Sequence, residues 1–258
     1  MLIMHGGHMR AGIALGEAPL RAAGHQLLIP SRPGYGRTPT SAGPTPERFA
    51  DTTAELCAHL GISSVRAVLG ISAGGPAAVA LAERHPSLVR SLLLISARSA
   101  LPFPTGATRL AAHLAFGAHV EPWTWTSVRA LLRRYPSLGL RMMLSSLSTS
   151  PAHRVMADLS PGEQDELVRL FAAMRSGQGF SIDVRHRLAP DLGRAVQQPA
   201  LVIASRHDGQ VDWRHAEHLH QNICGSLLWP SPSLSHLVWY GSGGDATQRR
   251  IEDFLSGL

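Results

Sequence analysis

The chain has 258 residues, 44% of them hydrophobic and 16% charged, a balance that builds a globular core and excludes a disordered or fibrous chain. No apolar run reaches the roughly 18 residues of a membrane helix, and MLIMHGGHMR has no charged region ahead of its short apolar stretch, so a cytoplasmic protein without a membrane partner is expected. The formal charge is +6 and all 24 basic residues are arginine, but they are dispersed and lack interleaved aromatics, which argues against nucleic acid as a partner.

Strand-like runs alternate with helical ones, as a mostly parallel sheet flanked by crossover helices requires. The expected order is a strand at 2–5 (LIMH), a helix at 14–23, a strand at 25–30, a helix at 45–60, a strand at 65–71, a helix at 74–84 and a strand at 89–97. Thr45 caps the second helix and Pro46 sits just inside it. After a long interval come a strand at 199–205, a helix at 213–223, a strand at 226–230 and a helix at 246–255.

Between about 98 and 196 the alternation fails, and helical patterns occur without a convincing buried strand. This stretch reads as an inserted helical cap, with 1–97 and 197–258 forming the α/β core. Its clearest element is SPGEQDELVRLFAAMRSG: Ser160 as N-cap, Pro161 at the first helical position, Glu163 completing a capping box and Gly177 ending the helix. Leu167, Leu170, Phe171 and Met174 form one apolar face, which is expected to bury against the upper surface of the sheet. The densest arginine cluster, RALLRRYPSLGLR at 129–141, reads as a solvated helix face. Cys57 and Cys224 are isolated and suggest neither a disulfide nor a metal site.

Chemistry concentrates at Gly70-Ile71-Ser72-Ala73-Gly74, a G-x-S-x-G sequence that follows a strand and opens a helix. A serine on so sharp a turn is held in strained geometry, and the small flanking residues let strand and helix approach closely. Ser72 is therefore the candidate nucleophile. It needs a base, and His236 in SLSHLVWYG follows the last strand and would emerge at the carboxyl edge of the sheet. His59, His85 and His113 fall in helical runs and read as structural. The acid that orients the base should leave another strand at the same edge. In PALVIASRHDGQVDW, Asp208 comes first after the strand and precedes Gly209, while Asp212 is its rival, read as a turn residue or helix cap.

The order Ser72, Asp208, His236, joined to the elbow, resembles the α/β-hydrolase fold superfamily over nearly the whole chain, the core more closely than the cap. HGG at 5–7 resembles the His-Gly signature of that superfamily, and SRPGYGRT at 31–38 resembles its D-x-P-G-x-G-x-S loop, with Ser31 in place of the usual Asp. The resemblance implies that the Gly7 and Ala73 amides form an oxyanion hole. Family members carry about two strands before the His-Gly loop, which here begins at residue 5. A sheet lacking its first antiparallel strands is expected to expose an edge, or to cover it by pairing with a second copy as a homodimer.

RHDGQVDWRHAEHLH gathers His207, His215, His218 and His220, but without Cys or an H-E-x-x-H pattern it reads as an exposed helix and not a metal site. PSRPGYGR lacks the spacing of a nucleotide-binding loop, so no cofactor is expected. Trp123, Trp125, Phe103 and Phe116 are candidates to line an acyl pocket, with core packing the competing role. The expected function is a serine esterase, EC 3.1.1, acting on a small acyl substrate through an acyl-enzyme. The alternatives are the same triad used for C-C bond or thioester hydrolysis or a lyase reaction, and a non-catalytic hydrolase-like binding protein.

Overall fold

A computed structural model of the chain describes residues 1–103 and 120–258. At its centre five parallel strands lie side by side in chain order: β1 (Leu2–Met4), β2 (Val68–Ile71), β3 (Leu92–Ile95), β4 (Ala200–Ser205) and β5 (Leu227–Ser231). The first four are buried throughout, as strands covered on both faces must be. Connecting helices are α1 (Ala18–Ala22), α2 (Pro46–His59) and α3 (Gly75–Arg84). Between β3 and β4 the described residues form α4 (Glu121–Arg134), α5 (Pro136–Leu147), α6 (Ala152–Asp158), α7 (Pro161–Ala173) and α8 (Gly179–Arg185). The chain closes with α9 (Trp213–Asn222) and α10 (Gly244–Ser256).

The two-residue alternation of strand side chains divides the interior into two cores. Leu2, Met4, Val68, Leu92 and Leu94 face α2, α3 and α9, packing on Phe49, Ala78, Leu81 and Leu219. Ile3, Leu69, Ile71, Leu93 and Ile95 face the other way, toward Ile251, Phe254 and Leu255 of α10. That second core runs on without a break into Trp125, Leu132, Leu140, Leu167 and Phe171 of the helices between β3 and β4. The expected capping box is present: Ser160 Oγ accepts from the Glu163 amide at 3.3 Å, and Glu163 Oε2 accepts from the Ser160 amide at 2.8 Å. The helix stops at Ala173, before Gly177, because Met174 is already extended. Its apolar face meets α4 and α5 and joins the core on that side of the sheet.

Three local expectations differ from the structure. The strand expected at 25–30 makes a single parallel bridge, Leu28 with Leu2. Its ladder cannot grow because β1 ends at Met4 and Pro30 has no amide to donate. This segment nevertheless lies along the outer side of β1: the Ile3 amide donates to Leu28 O, the Leu28 amide to Met1 O, and the chain's amino group to Gln26 O. The helix expected at 14–23 is confined to five residues. Gly16 has φ +73°, and the Trp239 ring lies where its Cβ would be, so the helix cannot start before it. The cluster at 129–141 spans two helices, and Leu132 and Leu140 within it are fully buried.

Leu93 is wholly buried in the central strand, whereas Leu227 on the edge strand is 46% exposed. Leu93→Ala is expected to lower unfolding free energy by about 2–5 kcal/mol, and Leu227→Ala by under about 1 kcal/mol, both measured by urea denaturation.

Candidate active site

β2 delivers the chain to Ser72 in extended conformation, with Ile71 at φ −101° and ψ 125°. Ser72 then takes φ +51°, a left-handed conformation that costs a non-glycine residue of order 1–3 kcal/mol, and α3 begins three residues on. The motif glycines are required by space. A Cβ on Gly70 would lie 2.7 Å from Ala78 Cβ and 2.9 Å from Gly75 Cα, and one on Gly74 would strike the Met4 carbonyl oxygen. The turn can be this sharp only where strand, helix and the end of β1 touch through bare backbone.

The His-Gly loop lies against the serine. A Cβ on Gly6 would be 3.2 Å from Ser72 Cβ and 3.8 Å from its Oγ. His5 holds this loop through both ring nitrogens: Nε2 accepts from the Arg32 amide at 2.9 Å, so Nδ1 carries the proton and donates to Gly6 O at 2.8 Å. The ring is neutral, and burial, followed by the Arg32 charge, pushes its pKa down to about 3. Ser31, where the superfamily has Asp, accepts from the Ala11 amide at 3.0 Å.

At the same sheet edge His236 Nδ1 donates to Asp208 Oδ2 at 2.6 Å, both residues being buried. The other oxygen, Asp208 Oδ1, accepts from the Gln210 and Val211 amides at 2.7 and 2.8 Å. The carboxylate is thereby fixed on both oxygens, and the imidazole Nε2 is left as the acceptor that a base requires. Asp212 does something else: it caps α9, accepting from the Arg214 amide at 2.9 Å. Ser72 makes no hydrogen bond to His236 among the described residues, and such bonds often tighten only with substrate bound. Gly7 follows Gly6 on the loop beside Ser72, with the Phe180 ring 3.3 Å from where its Cβ would be, and Ala73 is buried at the start of the turn into α3.

Two groups of residues escaped sequence reasoning. One is the backbone at the end of α5: Leu147 O accepts from the His236 amide at 2.8 Å and the Gly209 amide at 3.2 Å, Ser148 bridges Asp208, and Ser148 Oγ donates to Leu234 O. The acid loop and histidine loop are thus tied to one segment between β3 and β4. The other is a buried ion pair. Arg32 donates through Nη1 and Nη2 to Asp183 at 2.6 and 2.8 Å and through Nε to His5 O at 2.7 Å, while Tyr35 OH donates to Asp183 Oδ2 at 2.5 Å. Burial alone would raise the Asp183 pKa, but the Arg32 charge and the two donors hold it below the usual aspartate value. Arg and Tyr inside SRPGYGRT were the only available signal, and nothing in the sequence linked them to position 183.

The remaining candidates separate. Trp125 is core, Phe103 is buried, and Trp123 is 75% exposed. Phe116 and His113 lie outside the described residues. His85 binds Asp51. His207, His218 and His220 pair with Ser150, Asn222 and Ser226, while His215 is buried, accepts from the Ser99 amide and has its pKa lowered to about 4 by burial and then Arg98. The run at 207–220 is therefore not a uniformly exposed face. Cys57 is buried and Cys224 exposed, and both are free. No helix among the described residues is long and apolar enough to cross a membrane.

The sequence pattern of one family, described as alpha/beta hydrolase fold, matches residues 1–237. The chain is 33% identical over 258 residues to the uncharacterized hydrolase YcgS of Bacillus subtilis, covering 99% of this chain and 90% of that protein. It is 29% identical to a pimeloyl-[acyl-carrier protein] methyl ester esterase of Aromatoleum aromaticum, across 100% of this chain and 98% of that one. An alpha/beta hydrolase fold protein from Nakamurella multipartita superposes with a TM-score of 0.79 at 24% identity, over 98% of this chain and 91% of that one.

Asp183→Leu leaves Arg32 charged and buried without its carboxylate, and is expected to cost about 3–5 kcal/mol in chemical denaturation at neutral pH. Because the folded-state pKa of Asp183 is depressed, its stabilisation is present above the ordinary aspartate value of 3.8 and is lost as pH falls below it. The stability difference between the native protein and Asp183→Leu should therefore narrow in acid, as followed by circular dichroism.

Proposed function

Since the chain belongs to the alpha/beta hydrolase fold family and is a hydrolase, we propose that it cleaves a small carboxylic ester, or a similar acyl substrate, through an acyl-enzyme. The observation that carries this is the buried 2.6 Å bond between His236 and Asp208 at the sheet edge where Ser72 stands in its left-handed turn. His236 Nε2 takes the Ser72 proton, and Ser72 Oγ attacks the substrate carbonyl carbon. The Gly7 and Ala73 amides donate to the oxygen that becomes negative, at the N-terminal end of α3 where the helix field favours that charge. His236 returns the proton to the departing alcohol as the acyl-oxygen bond breaks. Water then repeats the sequence, and the carboxylic acid leaves.

Asp208 keeps the Nδ1 proton in place throughout and stabilises the imidazolium that forms in each half. The two backbone amides that hold its other oxygen keep the carboxylate in line with the ring. Residues 98–196 act as the cap over this centre and select the acyl group, and a methyl ester esterase among the relatives belongs to the same reaction class.

On a panel of p-nitrophenyl esters the native protein should show an acyl-enzyme burst followed by turnover, and a fluorophosphonate probe should label Ser72. Ser72→Ala should remove labelling and turnover with the circular dichroism spectrum unchanged. Asp208→Asn should lower kcat by about 10⁴-fold, since an amide no longer holds the productive tautomer. Native protein that is neither labelled nor active would point to a binding protein built on this fold.

A further inference from the structure

His8 follows the proposed oxyanion donor Gly7 and has φ +62°. A histidine held there needs anchors that outweigh the strain. Several of those anchors come from residues 173–180, and the Trp125 ring of α4 adds an edge contact 5.3 Å from the His8 ring. The Arg175 amide donates to His8 O at 3.0 Å, and Arg10 Nη1 reaches over to donate to Ala173 O at 2.7 Å. Ser176 Oγ sits 2.6 Å from His8 Nδ1, and the Phe180 ring packs 4.2 Å from the His8 ring while also covering Gly7.

Ser176 is itself immobilised. It is wholly buried, its amide donates to Glu121 Oε1 at 2.8 Å, and its hydroxyl accepts from Trp125 Nε1 at 2.8 Å. Indole can only donate, so one lone pair of the hydroxyl takes that bond, and the hydroxyl shares its remaining hydrogen bond with His8 Nδ1. The His8 ring is neutral. Burial, which lowers its pKa to about 4, agrees with that state.

We infer that residues 173–180 of the cap hold the His-Gly loop in the geometry that aims the Gly7 amide at the reacting carbonyl, with the Ser176 to His8 hydrogen bond as the pin. Ser176 and His8 are positioning residues that act through Gly7, and the inference rests on the proposed serine-hydrolase chemistry. It makes the oxyanion hole a property of core and cap together, since one of its two amides is oriented from the cap. An oxyanion donor misplaced by a fraction of an ångström weakens the transition state far more than the bound ester, because the charge it meets exists only there.

The test uses the full chain, p-nitrophenyl acetate and a trifluoromethyl ketone that forms a tetrahedral adduct with a nucleophilic serine. Ser176→Ala should lower kcat by about tenfold to a hundredfold with KM within about twofold of native. The ketone should bind more weakly by about the same factor as kcat/KM falls. Ser176→Thr, which keeps the hydroxyl, should recover activity to within about threefold of native. A melting curve checks that each variant is folded. Should Ser176→Ala not fold, His8→Gly serves instead, since glycine suits φ +62° and only the ring is lost. The same loss of kcat is expected from it.

A folded variant with native kcat and native ketone affinity overturns the pin, as does a rise in KM at constant kcat. If the native protein is active and labelled at Ser72, such a result leaves the serine-hydrolase chemistry standing. If the native protein is neither active nor labelled, that chemistry falls and the inference with it.

Discussion

The structure turns on one backbone constraint, the left-handed Ser72 between a buried strand and a helix that begins three residues later. No side chain can be accommodated on either flanking motif glycine without striking Ala78, Gly75 or the end of β1. Strand, helix and His-Gly loop therefore meet at one place, with Gly6 close against Ser72. The strain is sustained because everything around it is close-packed and cannot yield independently. The alanine-rich first turns of α3 and the short strand β1 are parts of the same solution.

A buried charge pair holds the far side of that junction. Arg32 and Asp183 are each almost fully enclosed, and a pair in that setting persists only when every donor and acceptor is used. Here the guanidinium serves both carboxylate oxygens and the His5 carbonyl, while Tyr35 adds a third donor to the carboxylate. The pair thus connects the loop at 31–38, the His-Gly loop and α8 in one polar cluster.

The helices between β3 and β4 take part in the site at two points. The end of α5 binds the backbone of the loops that carry Asp208 and His236 through Leu147 and Ser148. The segment between α7 and α8 binds the loop that carries Gly7. Helices that also share one continuous apolar core with the sheet cannot move far without disturbing these loops.

Local chemistry made much of this legible in the sequence. The succession of strands and helices, the sharp strand-to-helix turn at Ser72, and the capping box at Ser160 and Glu163 follow from residue type and short-range spacing, since a tight turn admits few residues and a cap needs a particular acceptor. The bounds of α1 and the single bridge at Leu28 were not legible, because a tryptophan from position 239 and the early end of β1 decide them. Only the tertiary structure decided that Arg32 meets Asp183, that Ser176 meets His8, and that Leu147 binds the histidine loop. Pairs separated by 151, 168 and 89 positions carry no periodic signal. Their partners are chosen by which loops the close-packed core brings together, and that is set by the whole chain at once.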